Sequence, residues 1–213
     1  MARLKNGILG AITGVIGPVD GYTLRGQFIL RSRRGKSNKP PTEKQLIQQQ
    51  RIRMVNNLLS PITEFVNAGF AHVATGKRQT AYSLASSYQH AYSITGQYPD
   101  FTIDYSKARF SEGPMSTEGI NASVILAAEN YLEFTWTPDR SYAHSNDHVM
   151  LLAYAPSLNE AVYTLCGAKR SVGTDTLILP NDWKGISIET YLSFKAENSL
   201  LCTNSIYLKR LPL

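Results

Sequence analysis

Cysteine is scarce: Cys166 and Cys202 are the only two, and they stand 36 residues apart. That excludes a CxxC centre and a disulfide-stapled scaffold. One disulfide between them stays open, and two buried thiols are the simpler reading. Histidine is nearly as rare, with four residues. His144 and His148 flank Ser145-Asn146-Asp147, but no glutamate follows His144, so the zinc-hydrolase pattern fails. They read as surface-loop histidines. No run approaches the roughly 20 apolar residues of a membrane span. An export signal is not expected either: Gly10 and Gly14 interrupt the run from Ile8 to Ile16, and Pro18 ends it. The expected place is cytoplasmic synthesis, with incorporation into a particle or filament.

Catalytic parts are also missing. No serine lies in a Gly-x-Ser-x-Gly setting. Gly35-Lys36-Ser37 lacks the earlier glycine of a phosphate loop. Asp100 and Asp104, on an extended strand, would share a face about 13 Å apart, too far for most carboxylate partnerships. The expectation is a non-enzyme with no catalytic residue, metal, cofactor or small-molecule substrate.

Acids are rare at one end. Residues 1–53 hold 11 Lys and Arg against Asp20 and Glu43, a balance of +9, while residues 54–213 balance to −3. The net charge of +6 therefore belongs to the head. Within it, Gly7, Gly10, Gly14, Gly17 and Gly21 recur at steps of three and four. As a helix this ladder would lose about 1 kcal/mol at each interior glycine, and Pro18 would break a turn. Short extended pieces turning at glycines are expected instead, with Tyr22–Arg25 and Gln27–Arg31 as strands around Gly26.

Three parts follow: a glycine-rich basic arm over 1–41, a helical segment over 42–97, and an antiparallel β-domain over 98–213. Thr42 with Gln45 makes a capping box after Pro40-Pro41. Ser60-Pro61 is a second helix start, and Thr80 to Ala91 a third helix. Candidate strands are Phe101–Phe110, Ala122–Leu126, Tyr131–Thr137, His148–Tyr154, Ala161–Cys166, Thr174–Leu179, Ile186–Lys195 and Leu201–Leu208. In Ile186–Lys195, Ile186, Ile188, Leu192 and Phe194 are expected inward, and Ser187, Glu189, Ser193 and Lys195 outward, with a bulge near Tyr191. The fold class is α+β, with the C-terminal strands in a β-sandwich.

Leu132-Glu133-Phe134-Thr135-Trp136-Thr137-Pro138 and Thr190 to Asn198 resemble a fibronectin type III or immunoglobulin-like domain. The resemblance implies that Trp136 fills the core between two sheets. The whole chain is also similar to a bacterial family of about this length, a domain of unknown function. The matching strings are Leu4-Lys5-Asn6-Gly7-Ile8-Leu9-Gly10, Ser37-Asn38-Lys39-Pro40-Pro41-Thr42-Glu43 with Gln45, and Tyr98-Pro99-Asp100-Phe101-Thr102-Ile103-Asp104-Tyr105-Ser106. That similarity implies that head and sandwich travel together, and brings no activity with it.

Two candidate sites emerge. The assembly arm is Gly7, Ile8, Leu9, Gly10, Gly14, Gly17 and Gly21; its interleaved apolar residues need burial, on this chain or a neighbour. The basic patch is Arg25, Arg31, Arg33, Arg34, Lys36 and Lys39, suited to an acidic surface or to non-specific contact with nucleic acid. Few aromatics are at hand to stack bases. The leading expectation is a structural protein that self-associates, in a homo-oligomer, a filament or a phage-like particle. The alternatives are nucleic-acid binding by the head, or an adhesin or carbohydrate module presenting Tyr142, Tyr154 and Trp183.

Overall fold

The computed structural model describes residues 3–4, 10–24, 26–33, 35, 39–128 and 130–213. Contacts divide the chain into two compact units, Met1–Thr42 and Glu43–Leu213.

The first unit is a small antiparallel sheet. Strands β1 (Arg3–Leu4), β2 (Ile12–Ile16), β3 (Val19–Leu24) and β4 (Gln27–Ser32) lie in chain order. Ile16 pairs with Val19 across the two-residue Gly17-Pro18 turn. Gly17 has φ +54°, the positive value such a hairpin turn needs.

The second unit opens with α1 (Glu43–Leu59), immediately after Thr42. Pro61 starts a 3₁₀ turn over Ser60–Ile62 that leads into α2 (Thr63–Gly69) and α3 (Ala71–Ala74). Then comes α4 (Ala81–Tyr92), whose N-cap Thr80 accepts from the Ser83 amide at 3.1 Å. A short pair, β5 (Ile94–Thr95) and β6 (Thr102–Ile103), follows. The remaining strands form two antiparallel sheets. One runs β11 (Thr174–Ile178), β8 (Tyr131–Thr135), β7 (Ser123–Ala128). The other runs β10 (Glu160–Thr164), β9 (His148–Ala155), β12 (Ser187–Lys195), β13 (Ile206–Pro212).

The four-stranded sheet is covered on both faces. One face of β9 and β12 joins Val124, Leu132, Phe134 and Trp136 of the three-stranded side in a single apolar cluster. Trp136 is buried there, edge-on to Phe194 at 5.5 Å. The other face, with Met150, Leu152, Tyr154 and Tyr191, packs under Val55, Leu58, Ile62, Phe65 and Phe70 of the helices. Strand β9 is accordingly an almost unbroken apolar run, as a strand buried on both sides requires.

Two expectations are corrected. Phe101–Phe110 is not one strand. Only Thr102–Ile103 pairs, because Asp104 accepts from the amide and hydroxyl of Ser106 and caps a 3₁₀ turn over Tyr105–Lys107. Glu189 and Ser193, expected outward, are buried, since the helices cover that face. The irregularity in β12 falls between Thr190 and Tyr191.

Candidate functional site

The strand register of the first unit sorts its side chains into two faces. Val19 pairs with Ser32, Gly21 with Leu30 and Thr23 with Phe28; Gly14 lies opposite Gly21 and Ile16 opposite Val19. Among the described residues, one face therefore presents Ile16, Val19, Phe28 and Leu30 and no charged residue. All four are exposed, Phe28 at 64% and Leu30 at 59%. At its centre Gly21 is buried against the backbone of β2: a Cβ there would collide with the Ile12 carbonyl oxygen. The glycine ladder thus clears a flat middle between larger apolar side chains.

The opposite face carries the charge. Asp20 and Arg31 are cross-strand partners, with an ion pair of 3.4 Å. The Arg31 guanidinium also lies 5.1 Å from the Tyr22 ring centroid. Arg33 donates its backbone N–H to Pro18 at 2.7 Å, and Lys39 is exposed and engaged. Of the expected arm, Gly10, Gly14, Gly17 and Gly21 are described, and Gly7, Ile8 and Leu9 lie outside the described residues. In the basic patch, Arg25, Arg34 and Lys36 also lie outside them. In the sequence, Ile16 and Val19 belong to the apolar residues of the arm that need burial, whereas Phe28 and Leu30 read only as strand residues. The signal that joins the four is the short Gly17-Pro18 turn, which fixes the register.

A second polar cluster lies at the loop end of the body. His144 Nδ1 sits 3.0 Å from Asp147 Oδ2, and Arg170 lies 3.9 Å from that same oxygen and 3.3 Å from Asp139. Burial pushes the Asp147 carboxyl upward against the pull of His144 and Arg170. The guanidinium packs over Phe194 at 5.0 Å, and Trp136 Nε1 donates to the Arg170 carbonyl oxygen at 2.9 Å. His148 faces elsewhere, bonded to the Gly167 carbonyl at 2.8 Å. The two histidines do not converge. Among the described residues, no group of three or more His, Cys, Asp or Glu is placed to hold a metal ion.

The carbohydrate-contact set does not survive. Tyr142 is fully exposed, but Trp183 is buried with its Nε1 donating to Glu160 at 3.1 Å. Tyr154 is buried and bonded to Asn159. Both cysteines are free thiols, Cys166 exposed and Cys202 buried. Among the described residues no helix is long and apolar enough to cross a membrane.

These features define an α+β protein built on antiparallel sheets, with an apolar sheet face at its head. The chain belongs to a family of unknown function, DUF6266, whose model matches residues 11–209. No curated protein and no solved structure matches it.

Proposed function

We propose that the protein is a non-catalytic structural subunit that self-associates through the apolar face of its N-terminal sheet. The observation that carries this is the exposed set Ile16, Val19, Phe28 and Leu30, on one uncharged face of a small sheet. A sheet needs its apolar face covered by another layer, and a few strands alone are marginal in water. In this reading the body supplies the particle's bulk as an immunoglobulin-like sandwich around Trp136, with the helices as an outer layer. Repetition of one contact then builds an oligomer, filament or particle. The nucleic-acid alternative is less well supported, because Arg31 is held by Asp20 and Tyr22.

The test is sedimentation velocity of the full chain and of Phe28→Ser/Leu30→Ser, at low and high salt. The wild-type chain is expected to form larger species, and the double variant to run as a monomer with unchanged circular dichroism. A wild-type monomer at every concentration overturns the proposal. Co-sedimentation with nucleic acid at low salt alone would favour the electrostatic alternative.

A further inference from the structure

The loop end of the second unit holds a hollow that the assembly reading leaves unused. Its volume is about 460 Å³, and it opens between the connection from β8 to β9 and the connection from β12 to β13. Small-ligand sites run from roughly 300 to 1,000 Å³. Both walls are hydrogen-bonded turns. On the first, Asp139 accepts from the Ser141 amide at 2.9 Å, and Ser141 accepts from the amides of His144 at 3.3 Å and Ser145 at 2.9 Å. That turn lines the hollow with Tyr142, His144 and Asn146. On the second, Lys195 pairs with Cys202 and the Ala196 amide donates to the Leu201 carbonyl at 2.9 Å, closing the turn that carries Glu197, Asn198 and Ser199.

Two of these side chains are set for contact. Tyr142 is fully exposed, apart from Trp183 and Tyr154, whose burial removes them from the surface. A tyrosine ring offers a large, rigid, amphipathic area at low entropy cost. His144 is the second. Its Nδ1 lies 3.0 Å from Oδ2 of the buried Asp147, behind which stands Arg170. A carboxylate on Nδ1 sets the neutral imidazole with Nε2 as its acceptor. Among the described residues Nε2 has no hydrogen-bond partner, and the ring, 42% exposed, lines the hollow.

The lining decides the class of ligand. It contains no lysine or arginine, which disfavours an anion. Asp147 is engaged by His144 and Arg170, so Glu197 alone remains for a cation. Among the described residues no three ligands gather for a metal ion. The rest of the polar lining is neutral: the amides of Asn146 and Asn198 and the hydroxyls of Ser145 and Ser199 both donate and accept. Beside a free ring face, they match a ligand with hydroxyls around its edge and C–H groups on its faces.

We propose that this hollow binds a neutral, polyhydroxylated ligand, a short oligosaccharide, with Tyr142 packed on a sugar ring and His144 Nε2 accepting one of its hydroxyls. The site lies within Glu43–Leu213 and does not depend on self-association.

The test is calorimetric titration of the full-length chain with maltotriose, cellotriose and N-acetylchitotriose, and with tetramethylammonium as a cationic control. Saturable binding of at least one oligosaccharide is expected, and none of the control. Tyr142→Ala, which alters only an exposed ring, should leave the melting curve unchanged and weaken that binding at least about tenfold. His144→Gln should weaken it in the same direction. No saturable binding of any of the three oligosaccharides overturns the proposal. Binding that Tyr142→Ala leaves unchanged places the ligand elsewhere and overturns it too. Saturation by tetramethylammonium alone would make the hollow a cation seat instead. A monomeric chain that still binds removes the assembly reading and keeps this one.

Discussion

The Cys202 thiol donates to the carbonyl oxygen of Gly69 at 3.0 Å, joining the segment that leads into β13 to the end of α2. Burial pushes that thiol up to about 11, well above an ordinary thiol. At neutral pH it should stay protonated and inert, while the exposed Cys166 reacts. A thiol titration of the native chain should count one fast thiol, and a second only after unfolding. The raised value also sets a pH dependence. The unfolded chain releases this proton first, so the contribution is complete below the ordinary thiol range and is lost as pH rises towards 11. Cys202→Ala should therefore show a smaller loss of melting temperature than wild type across that alkaline window.

Gly69 admits no side chain. A Cβ there would sit 2.5 Å from the Phe110 carbonyl oxygen and 2.8 Å from the Ser111 Cα, both backbone atoms. The same glycine accepts from the Glu112 amide at 3.0 Å. Gly69→Ala should cost about 1–3 kcal/mol by overpacking, despite alanine's better helix propensity. Chemical denaturation should show a lower midpoint with little change in slope.

Much of this core was legible from residue pattern. The alternation in Ile186–Lys195 and the proline and threonine helix starts depend on local chemistry, and local chemistry is written in consecutive residues. What lay hidden was which sheet face the helices cover. Glu189 and Ser193 look solvent-facing in alternation, and only the continuous apolar run of β9 hints that both faces are buried. Phe101–Phe110 misled because Asp104 with Ser106 makes a turn that its apolar neighbours mask. At the head the apolar residues were visible, but their gathering onto one face depends on register.

Glu189 is the cost of burying that second face, and Tyr207 answers it by donating its hydroxyl at 2.8 Å. Burial and this bond push the Tyr207 hydroxyl up to about 12. Arg210 Nε lies 3.7 Å away on the more exposed side. Tyr207→Phe should destabilise by about 1.5–3 kcal/mol, the range for a hydrogen bond to a charged group. Glu189→Gln in the Tyr207→Phe background should then cost less than it does alone, as a double-mutant cycle would show.

Arg170 is buried beneath the loop end between Asp139 and Asp147. Arg170→Ala leaves the buried Asp147 carboxyl without its guanidinium neighbour and removes packing on Phe194. The expected loss is about 3–5 kcal/mol. Adding Asp147→Asn should recover part of it, and thermal melts of the single and double variants check this.

Gly21→Ala separates the head from the core. The added methyl would press on the Ile12 backbone oxygen and on Leu30, so the sheet that gathers Ile16, Val19, Phe28 and Leu30 should loosen. Among the described residues, both apolar clusters of the body are drawn from Val55 onwards. The main melting transition should therefore move little, while self-association weakens as in Phe28→Ser/Leu30→Ser. Calorimetry and sedimentation on the same samples separate the two effects. A lowered main transition with assembly intact would mean that Gly21 serves the stability of the body, not the docking face.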